Sequence, residues 1–445
     1  MKTFLFALLI FFVYCSKAQD ISGSWAGILN TPGGELPIVL HITTEGDSIV
    51  ATTDSPLQNS KGTRIDEIKL AANELSFKIK AHHSSFKGVL YNDSIAGTFS
   101  QNQMTIPLTF KKVRRPQEPK PKFPYIIKNI TIKNTEQGNM LAGTLTTPFD
   151  KKNFPVVILI TGSGPQNRDE AFLLHKPFLV IADYFTTRGI GVLRMDDRGV
   201  DGSEAGKANA TSADFATDIN AAVNYLADRG YKNIGLLGHS EGGMIAPMVA
   251  VNNKQVKFLV SMAGPGIAND SLMLGQLGAS LRVMKVPEPL AGINLTVVRK
   301  AYELMKSYSG DRDHLKQYLT DTLVKTYPLY ADMSKAVASS VSVPWFQYFI
   351  KLNPQIYIKQ LKIPVLAVNG EEDTQVLAKE NLSGWRATLE HAGNKNFDIK
   401  SFPRLNHFFR TAISGTLAEN IMIEETISKE VLQYMASWIL RSAKP

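Results

Sequence analysis

A mostly parallel α/β sheet carrying a helical insertion, preceded by a small antiparallel β domain, is the fold class this sequence predicts. Three observations predict it. Residues 19 to about 112 hold short segments in which apolar and polar residues alternate, separated by turn residues. A proline- and lysine-rich stretch over residues 113–124 then breaks that pattern. From residue 125 to the C-terminus, short aliphatic runs alternate with helical stretches, as in parallel strands covered by helices on both faces.

The composition is that of a globular chain. Of 445 residues, 44% are hydrophobic and 20% charged, which excludes a collagenous, coiled-coil or disordered protein. A chain of this length splits into about two or three domains. The formal net charge is +9, but lysines and arginines are spread along the chain. Their one denser stretch, Lys111 to Lys122, is interrupted by Pro116, Pro119 and Pro121. It reads as a solvated linker, and no nucleic-acid partner is expected.

At the N-terminus Lys2 precedes the apolar run Phe4 to Tyr14, and Ser16 and Ala18 supply small residues. This is the pattern of a signal peptide, residues 1–18, cleaved after Ala18. A secreted or periplasmic location is therefore expected. Cys15 as a lipid-attachment site is the alternative, with Phe12-Val13-Tyr14 a poor match to a lipobox. Cys15 is the only cysteine, so cleavage would leave no disulfide and no cysteine nucleophile. No later run reaches the roughly 20 apolar residues of a membrane-spanning helix.

Within residues 19–112, strands are expected at Ser22–Leu29, Leu36–Thr43, Glu67–Ala71, Leu75–Ile79, Phe86–Leu90 and Ser94–Phe99. Gly33-Gly34, Gly46-Asp47 and Asn92-Asp93 are the turns between them. This is a small barrel or sandwich. His82 and His83 are adjacent, so on a strand they would face opposite ways and make no joint metal site.

In the second region, strands are expected at Val156–Ile160, Ile190–Leu193, Ile234–Leu237, Val256–Met262, Ile363–Val368 and Phe397–Ser401. Helices are expected at Lys176–Arg188, Ser212–Asp228, Gly242–Val251 and Ala378–Glu390. Residues 268 to about 358 are helical in pattern and separate two core strands. An insertion there lies above the carboxyl edge of the sheet, where ligands bind in open α/β folds, and reads as a cap over the substrate pocket.

The chemistry concentrates at that edge. Gly238-His239-Ser240-Glu241-Gly242 sits between a strand and a helix, the context of a G-x-S-x-G elbow. Glycines two positions either side of the serine remove side chains that would collide in so sharp a turn. The Glu241 amide then opens a helix and points where an oxyanion would form. A serine needs a histidine base held by a carboxylate, in the order Ser, acid, His. Asp373, in Asn369-Gly370-Glu371-Glu372-Asp373, is the acid expected, with Glu371 and Glu372 as fallbacks. His407, in a loop flanked by aromatics, is the base; His391 reads instead as a helix C-terminal residue. The loop Thr161-Gly162-Ser163-Gly164 offers a second oxyanion donor at the Ser163 amide, with Gly164 the alternative. It lacks the lysine and hydroxyl of a P-loop. Asp197 and Arg198, in a polar turn, are expected to pair with neighbouring loops.

Together these residues resemble the α/β-hydrolase family, in particular secreted bacterial esterases and serine-peptidase-like hydrolases with a Gly-His-Ser-Glu-Gly-Gly elbow. The resemblance spans about residues 125–445. It rests on Thr161 to Gly164, Asp197-Arg198-Gly199, Gly238 to Gly243, Gly370 to Asp373 and His407. It implies Ser240 as nucleophile, Asp373 and His407 as its acid and base, and Ser163 with Glu241 as oxyanion donors. Two departures stand out: Thr161 where many members have histidine, and Asp201 in place of a turn glycine. Asp201 fits a left-handed turn better than most residues would. The implied activity is hydrolysis of a carboxylic ester through an acyl-enzyme, on a small-molecule ester or short acyl or peptide substrate. Neither metal nor organic cofactor is needed. A peptidase or amidase using the same triad, or a catalytically silent binding protein on this fold, are the alternatives.

Overall fold

A computed structural model describes residues 21–46, 48–149 and 153–443. The expected signal peptide and Cys15 lie outside the described residues, as does Asp47 of one expected turn. The chain divides into two compact units, one ending at Val113 and the other beginning at Arg114.

The first unit is a nine-stranded antiparallel sheet. Its strands are β1 Gly23–Thr31, β2 Gly34–Glu45, β3 Ser48–Ser55, β4 Ser60–Arg64, β5 Glu67–Ala71, β6 Glu74–Ile79, β7 Ser84–Tyr91, β8 Ser94–Gln101 and β9 Met104–Lys112. They lie in the order β4-β3-β2-β1-β9-β8-β7-β6-β5. Alternation directs one set of side chains to a single core, where Phe86 packs on Phe77 and Phe110 at ring separations of 5.3 and 5.2 Å. The turn at Asn92 adopts φ 51°, the left-handed geometry asparagine tolerates. β3, β4 and β9 join the six strands read from the sequence. His82 and His83 are exposed, but they occupy a single helical turn, Lys80–His82, and its left-handed cap, not a strand.

The second unit is a three-layer α/β structure. It opens with a hairpin that no long aliphatic run marks in the sequence, β10 Tyr125–Lys133 and β11 Met140–Pro148. Then follow β12 Val156–Ile160, α1 Pro177–Thr186, β13 Gly191–Met195, α2 Ser212–Asp228, β14 Ile234–His239, α3 Glu241–Ala250 and β15 Val256–Met262. The strand order is β10-β11-β13-β12-β14-β15-β16-β17, with β16 Val365–Gly370 and β17 Phe397–Phe402. β10 and β11 pair antiparallel, and every pairing from β13 to β17 is parallel. β12 shows why its sequence is wholly aliphatic. Val157 and Leu159 enter the core beneath α1 and the C-terminal α11 (Lys429–Ser442), while Ile158 and Ile160 enter the core beneath α2, α3 and α10 (Ala378–His391). Both faces are covered, so no position can be polar.

The cap lies between β15 and β16: α4 Asn269–Val283, α5 Glu288–Ser307, α6 Leu315–Thr326, α7 Ala331–Val341, α8 Pro344–Lys351 and the single turn α9 Gln355–Ile358. Its core of Val297, Met305, Leu319, Leu323, Val341 and Phe349 includes Met244 and Met248 of α3. Among the described residues no helix is long and apolar enough to cross a membrane.

The stretch read as a solvated linker is held down at its start. The Arg115 guanidinium donates to the carbonyls of Leu174, Ile421 and Ile423 at 2.9, 3.0 and 3.1 Å. Gln117 exchanges hydrogen bonds with the backbone of Thr426 and Ile427. Irregular backbone leaves carbonyls unpaired, and the five-donor guanidinium satisfies them. Composition shows a linker's prolines but not this docking.

Candidate active site

The elbow is built by contacts that only glycine permits. A Cβ on Gly238 would stand 2.0 Å from the Gly242 carbonyl oxygen, and one on Gly242 would stand 2.3 Å from that of Ile160. Between them Ser240 is held at φ 53°, ψ −120°, a conformation costing on the order of 1–3 kcal/mol for a residue with a side chain. The Ser240 amide donates to Met262 O at 2.9 Å, and Gly243 N donates to Ser240 O at 2.9 Å. The β14–turn–α3 connection is thereby locked from both sides.

Asp373 and His407 lie just beyond the ends of β16 and β17. Gly370 closes β16, where a Cβ would lie 2.2 Å from Leu405 O. Three residues later Asp373 is 3% exposed and uses both oxygens. Oδ1 accepts from the amides of Gln375 and Val376 at 2.7 and 2.8 Å, and Oδ2 meets His407 Nδ1 at 2.7 Å. His407 is 4% exposed, on the loop after β17. That loop is shaped by Asn406, whose side-chain oxygen accepts from Phe408 N and Arg410 N. The fully buried Arg410 supports it, donating to Thr426 O and Asn420 Oδ1. Burial depresses its pKa to about 9. The fallback acids Glu371 and Glu372 are exposed, and so is His391 at the end of α10.

The strand ends thus bring Ser240 and His407 to the wall of one cavity of about 360 Å3, whose other walls include Ser163, Glu241, Leu272 and Phe346. The His407–Asp373 hydrogen bond is formed. Among the described residues no hydrogen bond joins Ser240 to the His407 ring. The Glu241 amide is the first of α3. Among the described residues neither it nor the Ser163 amide has a partner within the protein. Gly162 is different: its amide donates to Glu170 Oε1 at 2.9 Å.

Carboxyl groups stake the loop after β12. Asp197 accepts from Thr161 Oγ1 at 2.7 Å and from Gln166 N at 2.9 Å. Thr161 is thus a stake for this turn. Burial raises the Asp197 pKa to about 7, opposed by the Thr161 and Gln166 hydrogen bonds and reinforced by the charges of Glu170 and Glu241. Arg198 pairs with Asp218 at 2.7 Å, and Arg168 pairs with Asp196. Asp201 takes φ 43°, the left-handed turn its position demands.

Sequence reading assigned Glu241 only a backbone role. Its carboxyl is buried, accepting from Ser212 Oγ at 2.6 Å and from Trp345 Nε1 at 3.0 Å, and burial raises its pKa. Trp345 belongs to α8, so the cap is tied to the residue next to Ser240. Its indole also lines a second cavity of about 390 Å3, with Leu141, Met195, Phe215 and Ile245. Gly162 and Trp345 border both cavities. Nothing in linear order links Trp345 to position 241; its only sequence signal is the aromatic pair it forms with Phe346. Among the described residues no group of three or more His, Cys, Asp or Glu is arranged to hold a metal ion.

The chain is similar to several known proteins. A family model described as "Serine aminopeptidase, S33" matches residues 177–410. Esterase EstD of Thermotoga maritima is 26% identical over 316 residues, covering 71% of this chain and 67% of that protein. Among solved structures, esterase Pf2001 of Pyrococcus furiosus covers 75% of this chain and 98% of its own, at 18% identity and TM-score 0.45. The proline iminopeptidase of Mycobacterium smegmatis covers 71% and 99%, at 15% identity and TM-score 0.44.

Proposed function

We propose, from the premise that this chain belongs to the serine aminopeptidase S33 family of α/β-hydrolases, that it hydrolyses carboxylic esters through an acyl-enzyme on Ser240. The 2.7 Å His407–Asp373 hydrogen bond at the rim of the cavity that Ser240 lines carries this reading. His407 Nδ1–H donates to Asp373, which leaves Nε2 with a lone pair to take the Ser240 proton. Catalytic hydrogen bonds tighten when substrate binds, so the missing Ser240–His407 bond is compatible with this step. Ser240 Oγ attacks the ester carbonyl carbon, and the developing oxyanion is received by the amides of Ser163 and Glu241. Loss of one such donor costs about 3–4 kcal/mol in well-studied hydrolases. His407 returns its proton to the departing alcohol, and water, deprotonated by the same imidazole, releases the acid. The esterase name of the Thermotoga relative supports the ester as substrate.

The aminopeptidase description of the family favours a second reading, an aminoacyl amide cleaved by the same groups. A fluorophosphonate probe should label the wild type and not Ser240→Ala; absence of wild-type labelling would rule out the triad. Faster turnover of p-nitrophenyl esters than of aminoacyl p-nitroanilides is expected, and the reverse order would make the amide the substrate. We propose further that residues 1–18 are a signal peptide directing the protein out of the cytoplasm, supported by the apolar run Phe4–Tyr14 after Lys2. N-terminal sequencing of the exported protein should begin at Gln19, and an intact Met1 would refute it.

A further inference from the structure

Behind the nucleophile lies a second acid–imidazole pair that the reaction as described does not use. Glu170 and His239 are 2% and 3% exposed, and Glu170 Oε1 meets His239 Nδ1 at 2.9 Å. Each also reaches into a loop of the site. Glu170 Oε1 accepts the Gly162 amide at 2.9 Å, and His239 Nε2 meets the backbone oxygen of His407 at 3.1 Å. We infer that Glu170 and His239 are positioning residues that fix the Ser163 amide and the His407 backbone against the nucleophile elbow, an inference resting on the triad reading above.

The hydrogen-bond chemistry fixes the proton on Nε2. A backbone carbonyl only accepts, so His239 Nε2 must carry a hydrogen. Oε1 already receives the Gly162 N–H, and a carboxylate oxygen accepts two donors readily. With Glu170 ionised, His239 is an imidazolium that donates from both nitrogens. Burial opposes that protonation, but the Glu170 charge and hydrogen bond, aided by the His407 carbonyl and Asp373, outweigh it and raise the His239 pKa.

Each bond has a consequence for the reacting groups. By turning the Gly162 N–H towards itself, Glu170 takes the first glycine amide out of contention and leaves the Ser163 amide unpartnered for the oxyanion. A Cβ at Gly162 would stand 3.2 Å from Ser240 Cβ, so this peptide is packed against the nucleophile. His239 precedes Ser240 in the chain. Its bond to His407 O therefore ties the base to the elbow through backbone, independently of Asp373. The two loops also clasp through stacking of Phe172 on Phe408 at 5.4 Å, with Phe408 5.8 Å from the His239 ring. Glu170 itself holds φ 50° to reach inward, its amide bonded to Asn167 O at 2.8 Å.

The test compares wild type with Glu170→Gln, His239→Gln, His239→Asn and His239→Ala. Glutamine at 239 keeps a donor near the Nε2 position, and asparagine keeps one near Nδ1. Fluorophosphonate labelling rate, kcat, KM and thermal melting are measured on each. A misplacement of about 1 Å in a reacting group costs about 100-fold. The labelling rate and kcat of folded Glu170→Gln and His239→Ala should thus fall about 10- to 100-fold, with KM nearly unchanged. His239→Gln and His239→Asn should each recover part of the loss. Folded variants whose melting temperature drops while kcat stays within about 3-fold of wild type would overturn the inference and leave a purely structural pair. Long-range nitrogen–proton spectra of the wild type should show a hydrogen on His239 Nε2; an unprotonated Nε2 would also overturn it. That readout needs no turnover. A wild type that resists labelling would defeat the triad reading itself, whereas equal labelling of wild type and variants would defeat only this inference.

Discussion

Replacing Asp373 with asparagine tests the triad by inverting one proton. Asp373 Oδ1 is committed to two backbone donors, Gln375 N and Val376 N, at 2.7 and 2.8 Å. An asparagine oriented to keep both must turn its NH2 towards His407 Nδ1, where Oδ2 now accepts at 2.7 Å. The opposite orientation would face NH2 against two amide donors in a site 3% exposed. Leaving two buried donors unsatisfied costs about 1–3 kcal/mol each, or about 2–6 in all. At about 1.4 kcal/mol per tenfold, the first orientation dominates by at least about 30-fold. Its donor forces the His407 proton onto Nε2, which then has no lone pair for the Ser240 hydroxyl. The same exchange in a well-studied serine protease lowers kcat about 10,000-fold. A comparable fall is expected here on a p-nitrophenyl ester, with KM little changed. The double variant with Ser240→Ala should lose almost nothing beyond Ser240→Ala alone, because the groups act as a unit. An Asp373→Asn protein retaining kcat within about tenfold of wild type would refute this assignment of the acid.

Three further outcomes follow from the same geometry. Gly238→Ala should fold poorly or melt well below wild type, since its methyl would meet backbone of Gly242 at 2.0 Å; an unchanged melting temperature would contradict the elbow packing. Trp345→Ala removes the indole bordering both cavities and frees the cap from Glu241. The ratio of kcat/KM for longer to shorter acyl esters should then rise, and a constant ratio across chain lengths would show that the second cavity takes no substrate. Asp197 titrates at about 7 in the folded protein against an ordinary 3.8. Between those values the unfolded chain releases a proton that the native one keeps. Stability should therefore fall as pH rises from about 4 to 7 and level off above, by on the order of 4 kcal/mol at about 1.36 per pH unit. Asp197→Asn removes the charge, its oxygen accepting from Gln166 N and its NH2 donating to Thr161 Oγ1, and its melting temperature should lack that part of the decline; a parallel profile would refute burial as the cause.

The hydrolase sheet was legible because burial on both faces leaves strands such as Val156–Ile160 no polar residue, and that signal survives in one dimension. The hairpin Tyr125–Lys133 and Met140–Pro148 escaped because its alternating pattern, at one edge, carries no aliphatic run. Ser240, Asp373 and His407 stood out through local grammar: a glycine-framed serine, an acid three residues past a strand-ending glycine, and the chain order of the fold. Glu170 and His239 had no such grammar. Their meeting depends on a loop returning across the elbow, and spacing along the chain does not encode it. Trp345 and the docking of Arg115 were hidden for the same reason. Where a side chain's partner lies on a distant loop and no motif or chain order marks it, only the folded chain reveals the pair.

The cap is founded on the helix that follows Ser240. Met244 and Met248 leave α3 to complete the apolar interior shared by α5, α6, α7 and α8, and the carboxyl beside Ser240 grips Trp345. Swapping in a roof from another hydrolase would therefore strand two methionines and a carboxyl on the outer side of that helix. A productive chimera must carry α3 across together with its roof, so that the cap and the Ser240 turn are inherited as one block.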